Sequence, residues 1–184
     1  MAEKSVVLSG ATYAGKTTLL RLFQAQGYTV VPEAGGLVIA ELNSKLSVEG
    51  QKKWRAENPL AFYELLIAKQ QELEAAVKPS APGLTFYDRA VPDYLAFLRL
   101  AKVEIPDRLR QIACMHQYDL VFVCEILSGF DDRSSTGRSL GRGDSEKLQE
   151  LTMKTYEEFC CPAKLLKAAP IEERIAFILA ALSS

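Results

Sequence analysis

The chain has 184 residues, of which 48% are hydrophobic, and its formal net charge is −1. This length and apolar content predict one compact domain over residues 1–184 with a substantial core. Mixed charges close to neutrality argue against nucleic acid or an acidic membrane surface as a partner. No apolar run approaches roughly 18 residues, and the first strand begins too early to leave room for a signal peptide, so we expect a cytoplasmic protein without a membrane span.

The first predicted elements are a buried strand at residues 6–8, a glycine-rich turn, and a helix from Lys16 to about Gln26. The turn matches G-x-x-x-x-G-K-[ST], in the strand–loop–helix context of a phosphate-binding loop. Lys16 is expected to reach the β- and γ-phosphates, and Thr17 to contribute to a Mg²⁺ shell. The predicted nucleotide-binding residues are Gly10, Ala11, Thr12, Tyr13, Ala14, Gly15, Lys16, Thr17 and Thr18.

The next segment alternates between a second strand, at residues 28–31, and a helical region. Glu33 follows that strand after a proline. We expect Gly35 and Gly36 to break the chain, and residues 43–57 to form a loop with a short helix. Asn58-Pro59 predicts the start of a long helix that continues to about residue 77.

A third strand at residues 84–87 delivers Asp88-Arg89 at its carboxyl end. Helices are then predicted from Pro92 to about residue 102 and from Pro106 to about residue 117, followed by a buried strand at residues 119–124. The one histidine, His116, continues an apolar helical stripe and is expected at the edge of the core. The four cysteines form no C-x-x-C pair, so spacing predicts no zinc site.

Residues 128–143 form a long loop of low hydrophobicity that carries Arg133, Arg138 and Arg142. Arginines separated by Gly, Ser and Thr suit a mobile lid that closes over phosphates. Asp144 is expected to cap the following helix. A short fifth strand is predicted at residues 163–168, and Pro170 begins a final helix with an apolar stripe.

Alternating strands and helices predict a mainly parallel sheet with helices on both faces, a three-layer α/β/α architecture. Ligands of such sheets bind beyond the carboxyl ends of the strands. The phosphate loop, Glu33, Asp88-Arg89, Glu125 and the 128–143 loop should therefore meet along one edge of the sheet.

The chemistry predicted for that edge is phosphoryl transfer by a small kinase. The sequence lacks the D-x-x-G and N-K-x-D elements of a GTPase, and it is too short for the extra subdomains of a motor. Asp88 is suited to hold a Mg²⁺-bound water and Glu33 to orient the acceptor hydroxyl. Arg89, Arg138 and Arg142 are suited to neutralise phosphate charge.

The motifs at residues 10–18, 30–34, 87–93 and 118–123 resemble, in that order, the small P-loop ATPase/kinase family that carries the AAA label. That family is close to the ribosylnicotinamide kinase domain and more distant from thymidylate and deoxynucleoside kinases. The resemblance implies a five-stranded sheet of order 2-3-1-4-5. It also matches Glu33 to the family's carboxylate after strand 2, and Asp88-Arg89 to its acid–arginine pair. Gly36 departs from the family, in which an arginine is common at this position.

Three functions remain open at this point. In the first, an ATP- and Mg²⁺-dependent kinase phosphorylates a nucleoside-like metabolite, and helices within residues 37–80, with Trp54, Phe62 and Tyr63, cover the acceptor. In the second, nucleotide state controls binding to a protein partner, which predicts an exposed apolar surface near residues 37–57. The third is a nucleic-acid-linked ATPase, against which the neutral charge argues. No base-reading motif separates ATP from GTP, and the acceptor and oligomeric state are open.

Overall fold

The computed structural model describes residues 4–12, 14–78, 83–127, 141–159, 161 and 163–182. Within them, strands and helices alternate along most of the chain. The elements are β1 (Lys4–Ser9), α1 (Lys16–Ala25), β2 (Thr29–Val31), α2 (Ala34–Glu57), α3 (Pro59–Ala76), β3 (Leu84–Asp88), α4 (Val91–Leu100), α5 (Asp107–Met115), β4 (Leu120–Cys124), α6 (Arg142–Glu158), β5 (Ala163–Leu166) and α7 (Ile171–Leu182). No helix in the described ranges is long and apolar enough to cross a membrane.

The five strands form one parallel sheet in the order β2-β3-β1-β4-β5. This confirms the predicted architecture and the strand order that the resemblance implied. β1 is central, with Leu8 opposite Asp88 of β3 on one side and Phe122 of β4 on the other. The carboxyl ends of β1, β2 and β3 therefore lie at the same edge.

Each face of the sheet has its own core. Alternate residues of β1 point to opposite faces, so Val6 and Leu8 pack with α1 and α7 while Val7 packs with Tyr156 of α6. On the first face Phe23 stacks on Phe86 with ring centroids 4.1 Å apart. Burying both faces explains why the central strands are almost continuously apolar.

A further core joins the helices α2, α3, α4 and α5, beside the sheet edge. Its fully buried members include Ile67 of α3, Leu95 and Leu98 of α4, and Leu109 of α5. α4 begins three residues after β3 ends, so the helical core is attached to the strand that carries Asp88. The helices α2 and α3 are thereby held against the site.

Some local predictions are wrong. Gly35 and Gly36 do not break the chain, and residues 43–57 are helical: α2 spans both segments, with one kink at Ser47 (φ 64°). Asp144 is not the cap of α6, because α6 begins at Arg142 with Gly141 at its N-cap. Residues 142–143 of the predicted lid are consequently helical, and residues 128–140 lie outside the described ranges.

Candidate functional site

The phosphate loop connects β1 to α1 through Gly10 and Gly15, which have φ values of 117° and 78°. A Cβ atom at Gly10 would lie 2.5 Å from the backbone oxygen of Cys124, so only glycine fits there. Lys16, the first residue of α1, is buried, and its Nζ donates to the carbonyl oxygens of Gly10 (3.0 Å) and Ala11 (2.8 Å). The ammonium group is thus held across the mouth of the loop.

Two groups of this loop region have shifted pKa values. The pKa of Lys16 is lowered to about 8, mainly by burial and also by the nearby Arg89 cation, against the opposing effects of Asp88, Cys124 and Glu33. Burial raises the pKa of Asp88, although Lys16 opposes that shift. Asp88 Oδ1 is buried and has no hydrogen-bond partner among the described residues. This carboxylate is therefore available to a ligand.

Arg89 follows β3 and connects two carboxylates. Its Nε–H donates to Glu33 Oε1 at 3.0 Å, and its Nη1 donates to Asp93 Oδ1 at 3.2 Å. Burial alone would lower the pKa of Arg89, but Glu33, Asp93 and Asp88 outweigh burial and raise it. Its backbone has φ 67°, in the left-handed region that is costly for a residue other than glycine. The ion pairs with Glu33 and Asp93 hold the guanidinium in one place despite this backbone strain.

Asp93 is the centre of a buried hydrogen-bond network. It accepts from the backbone N–H of Ala90 (3.0 Å), from Ser9 Oγ (2.5 Å) and from Tyr156 OH (2.5 Å), besides Arg89. These donors come from β1, α6 and the β3–α4 connection. The network fixes Arg89 relative to the phosphate loop, and sequence analysis could not pair its members because they are far apart in the chain.

A cleft of about 420 Å³ extends from the phosphate loop into the helical core. Thr12 and the Glu33–Arg89 pair line it, together with four aromatic residues, Phe62, Tyr63, Tyr94 and Phe97. The rings of Tyr63 and Phe97 stack with centroids 5.9 Å apart. The Arg89 guanidinium lies over the Phe97 ring, 5.1 Å from its centroid, so charged and aromatic groups share the same walls. Such a lining suits a small, partly planar molecule.

Arg55, on the second half of α2, also lines this cleft and was not singled out in the sequence. Its guanidinium lies over the ring of Phe62, with 5.1 Å between Cζ and the ring centroid. Its Nε is buried without a hydrogen-bond partner among the described residues, and burial lowers its pKa. Arg55 is one of several charged residues in a polar segment, so nothing in the sequence distinguished it from its neighbours.

The remaining predicted residues differ in how the structure places them. Thr17 and Thr18 are exposed in the first turn of α1, where their position allows contact with a ligand, whereas Tyr13 and Arg138 lie outside the described residues. Arg142 is exposed in the first turn of α6 and pairs with Glu146. Trp54 packs against the helical core rather than lining the cleft.

Gly36, where the family commonly has an arginine, lies in the first turn of α2. It faces open space, with nothing within 4 Å of an added Cβ, so sterics do not explain the departure. His116 caps the end of α5 beside Glu74, 3.2 Å from its carboxylate, as expected of a residue at the core edge.

The oxygen atoms of Asp88 and Thr17 suit a magnesium ion that is also coordinated by phosphate. Mg²⁺ is usually held by one or two carboxylates together with water and substrate phosphate oxygens. No group of three or more His, Cys, Asp or Glu side chains in the described part of the chain could hold a metal on its own. The unpartnered oxygen of Asp88 and the hydroxyl of Thr17 are the groups that suit such a shared ion.

Several solved structures share this fold. Thymidylate kinase from Ehrlichia chaffeensis is similar over 99% of this chain and 100% of its own, with a TM-score of 0.65 and 12% identity. NadR in complex with NR has a TM-score of 0.61 and 18% identity, and NadR in complex with NAD and AMP-PNP has 0.59 and 17%. In both NadR cases 89% of this chain matches 44% of the NadR chain.

No curated protein sequence matches this chain significantly. The sequence profile of the AAA domain family, in contrast, matches residues 5–174. This range includes the phosphate loop, the Asp88-Arg89 pair and the five described strands apart from Lys4, the first residue of β1. A match over nearly the whole length shows that this chain belongs to the AAA domain family, with the fold of a P-loop kinase.

Proposed function

We propose that this protein is a phosphotransferase that uses ATP and Mg²⁺ to phosphorylate a small, hydroxylated, nucleoside-like acceptor. The observation that carries the proposal is the cleft: it joins the phosphate loop at Thr12 to the Glu33–Arg89 pair and then to aromatic walls. A donor nucleotide in the loop and an acceptor in the cleft would meet at Glu33. The name of one structural neighbour, thymidylate kinase, supports the same reaction class.

The chain's own residues would divide the work of transfer. Lys16 and the N–H groups of the loop bind and neutralise the phosphates, while Glu33 orients the acceptor hydroxyl towards them. Asp88 and Thr17 hold the Mg²⁺, which supplies charge neutralisation when bound. Arg89, fixed by Asp93, keeps the Glu33 carboxylate in place.

The shape and chemistry of the cleft support a nucleoside-like acceptor. Aromatic walls favour a planar ring, and the Glu33–Arg89 pair suits a sugar hydroxyl. The Nε of Arg55, which also lines the cleft and has no hydrogen-bond partner among the described residues, suits an acceptor atom such as a ring carbonyl oxygen. We expect Arg55→Ala to raise the KM for the acceptor and to leave the KM for ATP unchanged.

The test is ADP release from Mg·ATP, alone and with a panel of nucleosides, nucleoside monophosphates and NR. We expect one acceptor class to stimulate release, and Lys16→Ala to abolish it. Glu33→Gln should lower the stimulated rate by about 10²- to 10⁴-fold, the usual contribution of a group that positions or accepts a proton. Glu49→Gln makes the same change on an exposed part of α2 and is the matched control.

A second function is favoured by one observation. Leu37, Leu46 and Val48 of α2 are exposed apolar side chains, as expected if this helix contacts a protein partner in one nucleotide state. In that case every acceptor in the panel would leave ADP release unchanged, and a Leu46→Lys variant would lose partner binding while retaining nucleotide binding. Stimulation by an acceptor would reject this alternative as the main function.

A further inference from the structure

Arg174 is an almost completely buried cation on the first turn of α7. Its side chain is 2% exposed, and neither its Nε nor its Nη2 has a hydrogen-bond partner among the described residues. Among the described residues, Arg174 takes part in no ion pair, whereas Arg89 pairs with two carboxylates and Arg99 with one. Leaving a buried guanidinium without a counter-ion is costly, so its position calls for a specific explanation.

The guanidinium lies directly against the phosphate loop. Nη1 is 2.7 Å from the point that a Cβ atom of Gly15 would occupy, and the side chain of Leu127 is on the same side. Gly15 is the N-cap of α1, where backbone N–H groups have no partner within the helix. Arg174 therefore occupies the space that a side chain at this loop position would fill.

The charged groups of Lys16 and Arg174 lie at opposite ends of the same loop. The ammonium of Lys16 is bonded to the carbonyl oxygens of Gly10 and Ala11, at the β1 end, whereas Arg174 is beside Gly15, at the α1 end. A chain of phosphates bound along the loop would place negative charge near both cations. A polyphosphate would supply the counter-ion that the buried guanidinium lacks among the described residues.

We propose that Arg174 is a second cationic ligand of the phosphate site, which binds the polyphosphate chain of the nucleotide at the Gly15 end of the loop. This inference rests on the proposed nucleotide binding and adds to it a residue from the last helix. Sequence spacing gave a usable signal, because Arg174 falls at i+3 from Ile171 and i−4 from Ile178, on the otherwise apolar stripe of α7.

The test measures affinity by calorimetry for two probes, Mg·ATP and inorganic tripolyphosphate. Wild type is compared with Arg174→Gln, Arg174→Lys, and Arg99→Gln, a matched control whose partners Thr155 and Glu158 belong to the chain. We expect Arg174→Gln to weaken both probes by roughly 10- to 100-fold, the range for a charged hydrogen bond. Arg174→Lys should recover part of the affinity, and Arg99→Gln should match wild type.

Thermal unfolding without ligand provides the second measurement. If Arg174 gains its partner only when an anion binds, Arg174→Gln should leave the Tm of the ligand-free protein unchanged or higher, because the substitution removes a buried charge without a counter-ion. Arg99→Gln should lower the Tm, since it removes contacts within the chain.

The outcomes separate this inference from the proposed function. Failure of wild type to bind either probe would overturn both. If wild type binds normally and Arg174→Gln has the same affinity, the role of Arg174 alone is overturned. The same holds if Arg174→Gln loses affinity for ATP but keeps its affinity for tripolyphosphate. A fall in Tm of the ligand-free protein without a loss of affinity would show that Arg174 is structural.

Discussion

At the scale of single residues, Lys16 connects the nucleotide site to the pH dependence of stability. Burial lowers its pKa from 10.5 in the unfolded chain to about 8 in the fold. Between these values the unfolded state binds more protons, so this residue makes the folded protein more stable as pH rises from about 8. From about pH 7 to about pH 10 the gain should be about 2 kcal/mol.

The measurement is urea unfolding of wild type and Lys16→Met at several pH values, with a chelator and without nucleotide. The free energy of unfolding of wild type relative to Lys16→Met should increase with pH across this range. A difference that stays constant with pH would show that the ammonium is not desolvated in the ligand-free fold.

Tyr156 is expected to affect both stability and phosphoryl transfer, because its hydroxyl donates to Asp93, which holds Arg89. Tyr156→Phe leaves Asp93 with one donor fewer in a buried site and should cost about 1–3 kcal/mol of unfolding free energy. It should also lower kcat. Urea unfolding and acceptor-stimulated ADP release measure the two effects.

Tyr118→Phe is the matched control for this prediction. Its hydroxyl donates to Glu74, away from the cleft, so the variant should lose stability and keep its kcat. Equal effects of the two variants on kcat would contradict a specific role for the Asp93 network.

Residues next to strand ends could be predicted, and those brought together by packing could not. Glu33 and Asp88-Arg89 follow parallel strands, so the sheet edge alone brings them together. Asp93 and Tyr156 are 63 residues apart, and their contact depends on how α6 packs on the sheet. Only Arg174 carried an unused signal, a charge on an apolar helical stripe.

At the scale of elements, α2 shows why local patterns misled. Gly35-Gly36 and a polar segment indicate a break and a loop, yet the segment is helical because Val38 and Leu42 pack into the helical core. Its exposed face also carries Lys45–Glu41 and Lys53–Glu57 pairs at helical spacing. Tertiary packing therefore overrode low propensity.

The two glycines of α2 give a paired prediction. Gly36 is exposed and faces open space, so Gly36→Ala should raise the free energy of unfolding by about 0.5–1 kcal/mol. Gly35 is buried, and an added Cβ would lie 3.2 Å from Glu33 Oε1, which should cancel the gain. It should also displace Glu33 and slow phosphoryl transfer. A gain of stability in Gly35→Ala would contradict that contact.

At the scale of the whole molecule, the question is whether the helical core that forms the cleft folds together with the sheet. α4 contributes Leu95 and Leu98 to the helical core, while Asp93 of the same helix bonds to Ser9 of β1 and Tyr156 of α6. A helix that belongs to both parts should couple them. We therefore expect one cooperative unfolding transition for residues 1–184.

Trp54 makes this expectation measurable, because it is the only tryptophan and packs against the helical core. Its fluorescence reports on α2 and α3, whereas far-ultraviolet circular dichroism reports on the whole chain. In urea the two signals should have the same midpoint, and Mg·ATP should shift both by the same amount. An earlier fluorescence transition would mean that the helices around the cleft unfold separately, and that the walls of the acceptor site can open while the phosphate loop remains folded.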